Sequence, residues 1–239
     1  MRRDDPCYND ACEVLKNAKL FKNLDKKLLK EIVRACNLVK WQKGENIDYE
    51  IAKEYLFILI KGKAKLTQID PNSGRSVALF LLQEGDIYDM FTLLDGKEHI
   101  AFPVPLQDCT LLRAPLSLAR KWISKHPEFN EAFLPYLGDK MRELESFGLS
   151  LVFYDTTTRL ANLILKHTKE CEDKENGYPV KLINNLSHES LAELIGSVRA
   201  VVTMQLKKLK EEGTIVTKRG QMAVKNLEKL LKHCDSSFE

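Results

Sequence analysis

The sequence has no run of apolar residues long enough to cross a bilayer, and its Met-Arg-Arg start is followed by acids rather than an apolar signal region. A cytoplasmic protein with no membrane partner is therefore expected. There is no phosphate-cradling P-loop, no His and Cys spacing of a zinc site and no Gly-x-Ser-x-Gly elbow. With none of these catalytic constellations in the chain, a non-enzymatic role is expected. The six cysteines, Cys7, Cys12, Cys36, Cys109, Cys171 and Cys234, follow no regular framework, which favours free thiols over a disulfide scaffold. A formal net charge of +3 over 239 residues names no partner, so the local charge pattern has to. From Val198 to Lys210 there is no acidic residue, whereas Arg199, Lys207, Lys208 and Lys210 are basic.

That acid-free segment lies within Leu186–Gly213, which reads as two helices joined by a tight turn. Ser187 is placed to cap the first helix, with Glu189 in the turn where the helix dipole favours a carboxylate. Leu191, Leu194 and Ile195 share a face, Gly196 supplies a left-handed stop, and Ser197 can cap the next helix. In the second helix an inner stripe of Val198, Val201, Val202, Leu206 and Leu209 leaves Arg199, Ala200, Thr203, Met204, Lys207 and Lys208 outside. Such a face approaches phosphates without a like-charge penalty, and the N-terminal residues of a recognition helix meet base edges. After Gly213, a β-branched run, an Arg219-Gly220 turn and a second short run read as a hairpin wing with a basic tip. The plainer alternative is a helical hairpin with a solvated basic face; the agreement of turn, spacing, charge and wing weighs against it.

The chain upstream is long enough for a separate domain, and 44% hydrophobic content supports real cores. Val14, Leu15, Ala18, Leu24, Leu28, Leu29, Ile32 and Val33 give a helical pattern before residue 37. From Leu38 to about Pro115 short β-type runs alternate with glycine turns, which predicts a compact antiparallel barrel or sandwich. A short helix is expected over Ser117–His126. Glu128–Phe153 then carries Phe129, Phe133, Leu137, Met141, Leu144, Phe147 and Leu151 at alternating spacings of 3 and 4. That seam needs a partner helix or its own domain to pack against. Tyr154-Asp155 marks a hinge before the next helix, and VKLI at residues 180–183 reads as a strand.

The succession of KGE-x-I, YLFILIKGKAKL, a Ser-Gly turn, GDIYDMFTLLDG and CTLLRAPLSL resembles the cyclic-nucleotide-binding-type β-roll of the Crp/Fnr family of bacterial transcription regulators. The long helix, the Arg159-Leu160-Ala161 helix start and the winged motif extend the resemblance from about Leu20 to Leu231. It implies an α+β chain with a double-stranded, jelly-roll-like β-roll sensor at 1–126, a dimerisation helix at 127–154 and a winged helix-turn-helix domain at 155–239. It also implies a parallel homodimer joined at Leu137, Met141, Leu144, Phe147 and Leu151, a palindromic DNA site, RNA polymerase as a protein partner and a leaning towards activation. Expected base readers are Arg199, Ala200, Thr203 and Met204. Expected phosphate contacts are Ser187, His188, Ser197, Lys207, Lys208, Lys218 and Arg219. Where the family commonly presents a Glu and a second Arg to the bases, this chain has Ala200 and Met204, so an A·T-richer palindrome is expected. Those two residues also support a rival reading, a ligand- or redox-sensing protein that kept the fold and lost specific DNA binding.

The effector pocket implied by the resemblance comprises Tyr88, Asp89, Met90, His99, Ile100, Leu144 and Glu145. Members that bind cyclic AMP carry a Glu for the ribose and an Arg and a Ser or Thr for the phosphate, where this chain has Met90, His99 and Ile100. Without the fixed cation and the hydroxyl donor, cyclic AMP is not expected. The haem-type sensor of the family has Cys and His where Asp89 and Phe91 stand, so that ligation is missing too. The oxygen-sensing branch holds an iron-sulfur cluster, for which Cys7, Cys12 and Cys109 are the weak counterparts, with Asp10 or Cys36 as a fourth ligand. A thiol switch between Cys7 and Cys12, or from one of them to a distant cysteine, is the related alternative. Plain thiols with a small-molecule effector, or with none, form the simplest reading.

Overall fold

The computed structural model describes residues 5–48, 53–169, 177–218 and 221–234. Two helices come first, α1 (Cys7–Asn17) and α2 (Lys26–Ala35). The Asp25 side chain caps α2 by accepting from the Lys27 amide, and Leu28, Leu29, Ile32 and Val33 bury its inner face. The roll follows as β1 (Asn37–Trp41), β2 (Tyr55–Lys61), β3 (Ala64–Ile69), β4 (Ser76–Leu82) and β5 (Ile87–Tyr88), a short α3 (Met90–Asp95), then β6 (Phe102–Pro105) and β7 (Cys109–Pro115). One sheet has the order β1-β7-β2-β5 and the other β4-β3-β6. Strand β2 is buried from Leu56 to Ile60, because it lies inside its sheet and is covered on both faces. Gly62 turns the chain from β2 into β3 at a φ of +109°, and a Cβ there would lie 2.7 Å from the Asp108 carbonyl oxygen.

Helices α4 (Leu116–Lys125) and α5 (Pro127–Phe153) close the roll. Phe129 stacks on Phe133 at 5.8 Å between ring centroids and meets Phe21 and Trp122, so the first turns of α5 are core. One turn further, Asp86 accepts from the Tyr136 hydroxyl at 3.0 Å and from the Gln83 amide at 3.0 Å, and its carboxylate lies 3.2 Å from Lys140 Nζ. All three side chains are buried. Burial and the Asp86 carboxylate both push the Tyr136 hydroxyl well above its ordinary pKa, which keeps it a donor. Packing divides the chain into two compact units, residues up to 71 with 79–144, and 72–78 with 145 onward.

The second unit contains the end of α5, then α6 (Thr156–Lys166), β8 (Tyr178–Pro179), α7 (His188–Leu194), α8 (Arg199–Glu211), β9 (Ile215–Lys218), β10 (Gln221–Val224) and α9 (Leu227–Leu231). Asp155 caps α6 by accepting from the Thr158 amide at 2.8 Å. The three strands pair in the order β8-β10-β9. The strand expected at VKLI falls instead at Tyr178–Pro179, with Val180 making a lone bridge to Thr168 and residues 182–185 turning. The reason lies in β10, whose Met222 amide donates to the Asn184 side chain at 2.6 Å rather than to a longer partner strand.

Candidate nucleic-acid interface

Helices α7 and α8 form the expected pair. The Ser187 hydroxyl accepts from the Ser190 amide at 3.0 Å and donates to the Ser190 hydroxyl at 3.1 Å, so the cap uses the donor expected to face a phosphate. Gly196 adopts a φ of +60°, and the Ser197 amide donates to the Ala192 carbonyl at 2.8 Å across the turn. Two expectations fail here. Val198, not Ser197, is the residue that precedes α8, and no side chain caps that helix. Val198 is also 47% exposed rather than part of the inner stripe, because its extended backbone carries it off the helical face that Val202, Leu206 and Leu209 bury.

On the outer face Arg199, Ala200, Thr203, Met204, Lys207 and Lys208 are all exposed. A spacing of four aligns Arg199, Thr203 and Lys207 along one ridge, with Ala200 and Met204 beside them. Lys207 lies 3.7 Å from Glu211 and Lys208 3.9 Å from Glu212, exposed pairs that cost little to exchange for phosphates. The Thr203 hydroxyl donates to the Arg199 carbonyl at 2.8 Å and lies 2.8 Å from His188 Nδ1. Strands β9 and β10 pair with Lys218 opposite Gln221. Lys218 is exposed, and Arg219 lies outside the described residues.

Residues 158–233 match the Crp-like helix-turn-helix domain. The CRP-like cAMP-activated global transcriptional regulator of Mycobacterium tuberculosis is 22% identical over 219 residues, covering 91% of this chain and 97% of that protein. The global nitrogen regulator of Synechococcus elongatus is 28% identical over 179 residues, covering 72% and 78%. The c-di-GMP responsive global regulator CLP of Xanthomonas campestris superposes with a TM-score of 0.70 at 16% identity, over 84% of this chain and 100% of that one. A mutant of CooA from Carboxydothermus hydrogenoformans gives 0.70 at 20% identity, over 84% and 89%. These matches give the chain a likeness to the Crp/Fnr regulators, with a Crp-like helix-turn-helix domain at residues 158–233. The expected α+β architecture, β-roll followed by winged helix-turn-helix, holds with it. Its curated relatives are transcriptional regulators.

The segment after β5 carries a buried carboxylate. Asp89 adopts a left-handed φ of +73° and is buried; neither of its carboxylate oxygens has a hydrogen-bond partner of good geometry. His99 Nδ1 is 3.8 Å from Asp89 Oδ1, and the imidazole meets the Phe91 ring edge-on at 4.9 Å. Burial raises the Asp89 pKa against opposing contacts from Thr92, and burial lowers that of His99. Tyr88 and Met90 belong to the core, with the Tyr88 ring 5.9 Å from Phe57. Ile100 is 74% exposed. Leu144 packs partly buried on the roll, whereas Glu145 is exposed and belongs to the second unit.

Along α5 the expected seam divides. Phe129 and Phe133 fill their own core, while Leu137, Leu144 and Phe147 are half-buried and Met141 and Leu151 exposed. Leu134 at 62% exposure and Met141 at 60%, one heptad apart, were not both legible as one stripe, since Leu134 falls outside the spacing set by Phe133.

Among the described residues no three His, Cys, Asp or Glu side chains converge as a metal site, and Cys7, Cys12 and Cys109 are not brought together. Cys7 and Cys12 share α1 five residues apart, which in a helix places their Cα atoms about 8–9 Å apart on different faces. A disulfide between them requires that helix to unwind, which corrects the expected Cys7 to Cys12 switch. Cys109 is buried with Sγ 3.3 Å from the Lys63 carbonyl and 3.2 Å from that of Gln107, and burial pushes its thiol up to about 11. Cys36 is buried and pushed up to about 12. Cys171 lies outside the described residues. No helix among them is long and apolar enough to cross a membrane.

Proposed function

We propose that this protein is a homodimeric, sequence-specific regulator of transcription that binds double-stranded DNA through α8. One observation carries the reading: the exposed face of α8 from Arg199 to Lys210 holds four basic residues and no acid, on a helix whose inner face is sealed by Val202, Leu206 and Leu209. Arg199 donates to a guanine edge, Ala200 and the Thr203 methyl contact thymine methyls, and Met204 packs against base edges. Lys207, Lys208, Lys218, Arg219 and the Ser197 side chain position the helix on phosphates. Two copies pair through the exposed Leu134, Met141 and Leu151 ridge of α5, with Leu137, Leu144 and Phe147 at its margin, giving a palindromic site.

The roll serves as the sensor, and the effector is not cyclic AMP. A buried carboxylate, Asp89, stands 3.8 Å from His99, where a cyclic phosphate would need a cation. The names of the relatives point to different effectors, cAMP in one and c-di-GMP in another, so the fold alone selects none. Effector binding shifts α5 and with it the spacing of the two recognition helices, and RNA polymerase recruitment at the bound promoter gives activation.

The test is DNA-binding site selection followed by titration in graded salt. Arg199→Ala should cost about 1–3 kcal/mol and relax one base position, whereas Lys218→Ala should weaken specific and random DNA alike. Equal effects of both changes on specific and random DNA would remove the assignment.

A further inference from the structure

We infer that His188 is a specificity-positioning residue: by holding the Thr203 hydroxyl, it makes recognition helix α8 present only an acceptor and a methyl group at that point, so that guanine is rejected there. The inference rests on the DNA-reading role proposed for α8 and deepens it. A threonine hydroxyl has one hydrogen, and two groups lie within 2.8 Å of it, the Arg199 carbonyl and His188 Nδ1. The carbonyl can only accept, so the hydroxyl hydrogen goes to it. Nδ1 then carries the ring proton and donates to Oγ1. The hydroxyl keeps a single lone pair and no free donor, and the Thr203 side chain, exposed on the outer face of α8, is locked in rotation.

In the major groove that combination is selective. The lone pair accepts from the amino group of adenine or cytosine, and the methyl packs on that of thymine, whereas guanine offers only the acceptors N7 and O6. Guanine thus meets acceptor against acceptor. With Nδ1 spent on the Thr203 hydroxyl, the phosphate contact expected of His188 gives way to this positioning role.

The experiment is competition binding of the full chain to the selected site, with each of the four bases placed in turn at every half-site position. Wild type should disfavour guanine by about tenfold at one position within the stretch read by α8. His188→Phe, which keeps a ring and removes both nitrogens, frees a lone pair and lets the hydroxyl turn; the guanine penalty should fall to about twofold with other positions unchanged. His188→Gln, which restores a donor, should recover most of it. Thr203→Val should abolish the acceptor-dependent preference while keeping the thymine contact. If His188→Phe instead weakens binding to all sequences alike and leaves the base preferences intact, His188 is a phosphate contact and the inference falls. If wild type shows no base preference at any position, the DNA-reading role itself falls, and this inference with it.

Discussion

Replacing Lys140 tests how α5 is fastened to the roll. Its ammonium lies 3.2 Å from Asp86, 3.3 Å from Glu143 and 5.6 Å from the centre of the Phe80 ring. At an effective dielectric of about 20, unit charges at the Asp86 distance attract by about 5 kcal/mol before desolvation. Desolvating the ammonium, which a methionine avoids, consumes about half of that. Asp86 keeps the Tyr136 hydroxyl and the Gln83 amide as donors, so Lys140→Met should cost about 2–3 kcal/mol rather than the full penalty of an orphaned charge. For a chain of this size that is a fall in Tm of about 4–12 °C. Asp86→Asn should cost about 1–2 kcal/mol, since Lys140 retains Glu143. The double variant should be less destabilised than the sum of the two by about 1–2 kcal/mol. Urea unfolding followed by tryptophan fluorescence measures all four proteins, with Trp41 and Trp122 both buried in the roll unit. Additive single effects, or a Lys140→Met cost below about 0.5 kcal/mol, would refute the argument that this ion pair seats the helix.

Met141→Glu places a charge on the exposed ridge of α5 in both copies of a dimer; losing two apolar contacts of about 1.5–2 kcal/mol each should raise the dimer Kd by about 100- to 1000-fold in analytical ultracentrifugation, with the Tm of the roll unchanged. An unaltered dimer would rule out the seam. His99, held below its ordinary value of 6.5 by burial, contributes stability that is present above that value and lost as pH falls through the folded-state pKa. His99→Gln should therefore flatten the decline of stability below pH 6.5 in chemical denaturation, and an identical slope in both proteins would contradict it. Asp89 works in the opposite sense: its raised pKa gives a contribution present at low pH and lost as pH rises through the folded value, so Asp89→Asn should change the pH profile in the direction opposite to His99→Gln. Gly196→Ala forces a side chain into a φ of +60° with its Cβ 2.5 Å from Leu151 Cδ2, and should destabilise the second unit by about 1–3 kcal/mol in calorimetry; a neutral result would show that the turn relaxes.

The helix-turn-helix was legible because its signals are local. Ser187 caps the helix it starts, Gly196 takes the left-handed position between α7 and α8, and the apolar residues recur within a few positions of each other. The same locality misled at Val198, where the 3.6-residue pattern continues one residue beyond the helix that carries it. The wing was readable from its strand alternation, whereas β8 moved two residues upstream because an Asn184 side chain, 38 positions away, takes the Met222 amide. In the roll, Gly62 and the short strands announced a turn-rich sheet, but nothing in the spacing of Asp86, Tyr136 and Lys140 marks them as partners. His188 and Thr203, 15 residues apart on different helices, likewise meet only once the turn has folded.

The sequence by itself determined most of the element types, the likeness to Crp/Fnr regulators and the acid-free face of α8, because capping, periodicity and charge act over a few residues along one chain. Only the tertiary structure decided which polar groups spend their hydrogen bonds on each other, and so which remain to face a ligand or a base. A buried carboxylate or an exposed hydroxyl has a function set by the donors within about 3 Å of it, and those donors come from parts of the chain that sequence spacing does not connect.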